Sequence, residues 1–72
     1  MTIAKNKVTQ LLKSKDCSEF GVYLDHEIWV AKDGTVIRLP KGGRIHIDLV
    51  ELIALELLNI SMWEFDYWLG EN

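Results

Sequence analysis

Two histidines, His26 and His46, are the side chains in this chain best suited to move protons near neutral pH. His26 sits in "LDHE", residues 24 to 27, at the opening of a β-forming run. Metal-free RNA cleavage needs a base for the 2′-OH proton and an acid for the leaving oxygen, and a histidine serves in either role. Asp25 precedes it, but neighbours along a strand point to opposite faces, so Asp25 is a poor side-chain partner. The plainer reading is a strand-end histidine satisfied by the backbone. Taken alone, the residues favour that plainer reading.

A second group lies further along. Arg44 and His46 project to the same side of an extended "RIHI", and with Lys41 and Arg38 they form a candidate basic rim for a phosphate. A solvated turn is the competing reading and carries more weight. Gly42-Gly43 could bring backbone N–H groups to a phosphate, although two glycines after a proline more often make a turn. His26, His46, Asp25, Glu27 and Asp48 have no metal-ligand spacing. No metal or other cofactor is expected. Cys17 has no CxxC partner and reads as an ordinary thiol.

The elements that must position these residues follow from periodicity. Residues 2 to 15 read as a helix with Thr2 as N-cap and Ala4, Val8, Leu11 and Leu12 on one face. Residues 19 to 23 read as a strand. His26 to Ala31 and Thr35 to Leu39 flank Asp33-Gly34, a hairpin signal for a type I′ turn. A two-residue loop there pairs Val30 with Ile37 and Ile28 with Leu39. His26, Ile28, Val30, Ile37 and Leu39 then form the core face, with Glu27, Trp29, Ala31, Val36 and Arg38 opposite. Pro40 to Gly43 is a turn, and residues 44 to 47 add a short extended piece. Asp48 to Glu51 fits a capping box that starts a helix to about Leu58. That helix is apolar nearly all round, which calls for cover on more than one side, and a second chain is the expected cover. Ser61 to Glu64 is a second capping box, opening a short helix that stops at Gly70.

Composition bounds the rest. The 72 residues, 49% of them apolar with three tryptophans, make one domain, residues 1 to 72, with a real if thin core. A formal charge of -3 argues against broad electrostatic capture of nucleic acid while leaving room for a local basic patch. A single cysteine and the lack of a signal-peptide pattern point to the cytoplasm. Glu51 and Glu56 interrupt the longest apolar stretch, so no membrane span is expected.

Leu11-Leu12, then Asp25-His26-Glu27-Ile28-Trp29, Asp33-Gly34, Leu39-Pro40, Lys41-Gly42-Gly43-Arg44 and "ELIALELLNISMWEF" follow one another in an order that resembles the HicA/YcfA family. The likeness covers nearly the whole chain. It implies an α+β fold of the double-stranded-RNA-binding-like type: α-β-β-β-α, a three- to four-stranded antiparallel sheet, helices on one face, and here a short extra C-terminal helix. It also implies a metal-independent mRNA-cleaving toxin with an antitoxin partner, and places His26 at the family's catalytic histidine. The family's glycine-serine step before that histidine is Leu24-Asp25 here, and this chain is acidic where the family is basic.

The aromatic tail carries the other class of function. Trp63, Phe65, Tyr67 and Trp68 are interleaved with Glu64 and Asp66, which repel phosphate. Packing or a protein interface is the better reading, with Leu49, Ile53, Leu57, Trp63, Phe65 and Trp68 as homodimer contacts. Two functions are therefore expected in competition. One is a HicA-like RNA-binding endoribonuclease with His26 as acid/base and Lys41, Arg44 and His46 on the phosphate. The other is a non-enzymatic, phage-type or regulatory dimer that grips a protein partner.

Overall fold

The computed structural model describes residues 1 to 70. The fold is α+β, with antiparallel sheets of two and three strands. The elements run β1 (Thr2–Ala4), α1 (Lys5–Ser14), β2 (Ser18–Tyr23), β3 (His26–Val30), β4 (Val36–Pro40), β5 (Arg44–His46), α2 (Ile47–Leu52) and α3 (Met62–Gly70). A π-helical turn over Ile53–Leu57 continues α2. The α1-β2-β3-β4-α2 succession fits the expected α-β-β-β-α order.

The first helix starts later than its pattern predicted. Residues 2 to 4 are a strand, paired antiparallel with β5 as Thr2 with His46, Ile3 with Ile45 and Ala4 with Arg44. Ile3 and Ile45 are buried in that pairing, so Thr2 is a strand residue and not an N-cap. The chain enters α1 without a side-chain cap. Instead, Lys5 N–H donates to the Gly43 carbonyl at 2.8 Å. The helix buries Val8, Leu11 and Leu12, the stripe the sequence predicts. It closes in a Schellman motif: Cys17 N–H donates to Leu12 C=O at 3.0 Å and Asp16 N–H to Lys13 C=O at 3.1 Å. Asp16 takes φ 63° at the turn between them.

The central hairpin differs by one residue. Asp33 does not take the positive φ that a type I′ turn needs; only Gly34 does, at φ 92°. The loop is therefore three residues, Lys32-Asp33-Gly34, closed by Ala31 N–H to Thr35 C=O at 2.8 Å and Gly34 N–H to Ala31 C=O at 2.9 Å. Asp33 Oδ1 accepts from Thr35 N–H at 3.0 Å and fixes the bend. Val30 then pairs with Val36, Trp29 with Ile37 and Glu27 with Leu39. A one-residue shift reverses the facing of a whole strand. Trp29 joins Ile37 and Leu39 in the core, while His26, Ile28 and Val30 move to the outer face with Val36 and Arg38.

The core lies between the inner face of the sheet and the helices, where Trp29, Ile37 and Leu39 meet Val8, Leu12, Val50, Ile53 and Phe65. The "RIHI" segment does extend, but it pairs with β1 and not with the three-stranded sheet. The cap of α2 is His46 and not Asp48. Leu58 N–H reaches Ile53 C=O at 2.9 Å, the i→i+5 bond of the π turn. Asn59, at φ 57°, then ends the helix. Ser61 caps α3 as predicted, its Oγ accepting from Glu64 N–H at 3.3 Å. The Glu64 side chain goes elsewhere, to Lys15 Nζ at 2.6 Å.

The segment expected to need a second chain is covered largely by its own. Ile53 and Phe65 are buried in the core, and Leu49, Leu57 and Trp68 pack against it half-buried. Lys7 adds cover by lying 5.0 Å over the Trp68 ring. Only Trp63 of the six proposed dimer contacts is fully exposed.

Candidate functional site

β3 begins at His26, directly after the two-residue turn Leu24-Asp25 that joins it to β2. Leu24 holds φ 57° there, a conformation that glycine adopts without steric cost and leucine does not. This is the position at which the HicA pattern has glycine. The turn lifts His26 to the end of the sheet, where it is exposed. Its imidazole makes no hydrogen bond among the described residues. The strand-end histidine is therefore not tied to the backbone.

His26 stands at a cleft of about 380 Å³. Asp25, Glu27, Lys5, Lys41 and Gly42 share its walls. The loop after β4 supplies Lys41, and Gly42 is held at φ 113°, which reserves that place for glycine. Lys5 comes from the first turn of α1, where a cation opposes the helix dipole. Glu27 offsets it, with Lys5 Nζ 3.0 Å from Glu27 Oε2 in a mostly buried pair. Asp25 lines the cleft from the turn and makes no bond to His26. The cleft so combines one imidazole, two lysines and two carboxylates, Lys5 being paired with Glu27, with Val22 and Leu24 as its apolar wall.

Two of the predicted phosphate contacts lie outside this cleft. The Arg44 side chain is committed to β1, with Nε donating to Thr2 Oγ1 at 2.7 Å and Nη2 to Thr2 C=O at 2.9 Å. His46 Nδ1 accepts from Asp48 N–H at 3.1 Å and caps α2. Nδ1 also lies 3.7 Å from Asp48 Oδ2, and the shorter backbone bond defines the cap. Both residues lie on β5, paired with β1, and neither lines the His26 cleft. Lys41 alone stays with His26. The residue the sequence did not point to is Lys5, whose partner Glu27 is 22 residues away.

Cys17 is buried, and burial first, then the charges of Asp16 and Asp33, push its thiol up. It is a packed side chain, not a nucleophile. No group of three or more His, Cys, Asp or Glu among the described residues could hold a metal ion. No helix among them is long and apolar enough to cross a membrane.

Comparison of the chain with protein-family models, curated proteins and solved structures found no match. The likeness to the HicA family stands on the motifs quoted above.

Proposed function

We propose that the chain binds RNA at the His26 cleft and cleaves it without metal. The observation that carries this reading is an exposed, uncommitted His26 beside Lys41 at one concave site. In the step envisaged, the imidazole takes the proton of a 2′-OH, and that oxygen attacks the adjacent phosphorus. The bond from phosphorus to the 5′-oxygen breaks, and the leaving oxygen takes a proton from the imidazolium or from water. The products are a 2′,3′-cyclic phosphate and a 5′-hydroxyl end. Lys41, with Lys5 behind it, stabilises the charge that builds on the phosphoryl oxygens. An antitoxin protein that covers the cleft is the partner this reading implies.

The test is induction of wild type and His26→Ala in a bacterial host, following growth and mRNA integrity, with purified protein assayed on labelled single-stranded RNA. Wild type arrests growth and cuts RNA, and an RNA carrying 2′-deoxyribose at the cut site resists. His26→Ala loses on the order of a hundredfold or more in rate. Equal, harmless behaviour of both proteins overturns the reading.

A second reading has its own support. Phe20, Val22 and Tyr23 of β2 and Leu24 of the turn after it stand largely in water, as expected of a non-enzymatic interaction protein. Lack of RNA binding together with a co-purifying protein partner would favour it.

A further inference from the structure

We infer that the outward face of α3 is a docking site for an arginine-bearing segment of a partner protein. The exposed positions of α3 are Met62, Trp63, Asp66, Tyr67 and Gly70, and they form one continuous arc of the helix. A helix face turned to water ordinarily carries polar side chains. α1 keeps that pattern, with Asn6, Gln10, Lys13 and Ser14 as its exposed residues. α3 departs from it: Trp63 is 75% exposed, Tyr67 65% and Met62 54%. Phe65 and Trp68, on the other side of the helix, supply its aromatic contribution to the core. Core packing therefore does not account for Trp63 and Tyr67.

The arc has a definite chemistry. Trp63 and Tyr67 stand one turn apart, and Asp66, three residues after Trp63, borders the pair. The Asp66 carboxylate is in no hydrogen bond or ion pair among the described residues. Two ring faces beside a carboxylate suit a planar guanidinium, which stacks on a ring and donates from its edge to the carboxylate. The inner side of the same helix already takes cations in this way. Lys7 lies over the Trp68 ring and its Nζ donates to Leu69 C=O at 3.5 Å, and Lys15 pairs with Glu64.

Charge decides the sign of the occupant. Residues 1 to 44 hold all eight lysines and arginines and five of the eleven carboxylates. Residues 45 to 72 hold the other six carboxylates and no lysine or arginine. Asp48, Glu51 and Glu56 are exposed along α2 and the turn that continues it. Neither α2 nor α3 has a basic residue in its last turn to offset the helix dipole. The C-terminal helices so present a negative field that repels phosphate and attracts a basic segment. Two copies meeting face to face would set Asp66 against Asp66, which works against self-pairing.

Docking at α3 does not depend on RNA cleavage; it rests on the second reading, that the chain grips a protein. Selection of a random linear-peptide library displayed on phage, against the immobilised full chain, tests it. The peptides recovered carry arginine beside apolar residues. A synthetic copy of one shifts the Trp63 emission on titration, binds more weakly as salt rises, and loses binding when its arginine becomes neutral citrulline. Trp63→Ala weakens binding by on the order of thirtyfold and Asp66→Asn by about tenfold, whereas Trp63→Phe keeps most of it. Val22→Lys and His26→Ala leave it unchanged, with circular dichroism to confirm that each variant is folded. Peptides recovered without cations, or arginine peptides indifferent to Trp63→Ala and Asp66→Asn, overturn the inference. Binding lost with Val22→Lys instead keeps the second reading, moves its surface to β2, and overturns docking at α3. A library that yields no binder overturns both. Self-association of the chain that disappears with Trp63→Ala gives the face to a second copy and also overturns it.

Discussion

Two short aromatic segments of this chain, β2 and α3, have similar composition and opposite fates. β2 offers Phe20 and Tyr23, and α3 offers Trp63, Phe65, Tyr67 and Trp68. Phe65 is 2% exposed and Phe20 is 79% exposed. The helix divides its aromatics by period, sending Phe65 and Trp68 inward, with ring centroids 5.9 Å apart, and leaving Trp63 and Tyr67 in water. The strand divides its residues by alternation, but the core lies under β3 and β4 and does not extend beneath β2. Apolar composition therefore did not decide burial. Position relative to the core did.

The largest expected effect breaks this contrast open. Phe65→Ala destabilises the fold by about 3–5 kcal/mol, whereas Phe20→Ala changes monomer stability by less than about 0.5 kcal/mol. Urea unfolding measures both. Comparable losses from the two variants would mean that β2 packs as α3 does. Next comes the turn beyond β2: Leu24→Gly relieves a positive φ on an exposed residue and stabilises by about 1 kcal/mol, read as an increased urea midpoint. A smaller effect concerns how α3 is fastened. Glu64→Gln removes a half-exposed pair with Lys15 and costs about 0.2–1 kcal/mol, less at high salt. The smallest is acid sensitivity of the hairpin beside β2. The Thr35 hydroxyl and amide hold the Asp33 carboxyl below its ordinary range. That contribution is therefore complete above the usual aspartate range and lost as pH falls through the lowered value. Thr35→Val removes the hydroxyl, and a titration followed by the Asp33 carboxyl resonance should move back toward the ordinary value.

What the sequence made legible was local. The Val8, Leu11 and Leu12 stripe, the Ser61 cap and the existence of the hairpin each depend on residues within a turn or two of one another. The hairpin register was not legible, because Asp-Gly fits both a two-residue and a three-residue loop and only the φ of Asp33 chooses between them. That choice moved Trp29 into the core and turned His26 outward. The site was half legible for a similar reason. His26 and Lys41 meet because β3 and β4 pair, a contact the hairpin already implies. Arg44 and His46 leave because β5 pairs with residues 40 to 44 positions earlier, and Lys5 arrives by the same long-range pairing. The apolar helix asked for cover, and its own chain provided most of it.

The Trp29 indole is buried and its Nε1 has no hydrogen-bond partner among the described residues. Trp63 stands in water, and Trp68 lies half-buried under a lysine. The chain so carries three tryptophans in three surroundings. Trp29 should emit at the blue edge of the spectrum and resist an aqueous quencher, while Trp63 emits to the red and is quenched first. Unfolding removes the blue component, and events on the α3 surface alter the red one, so a single unlabelled sample can report the core and the surface at separate wavelengths.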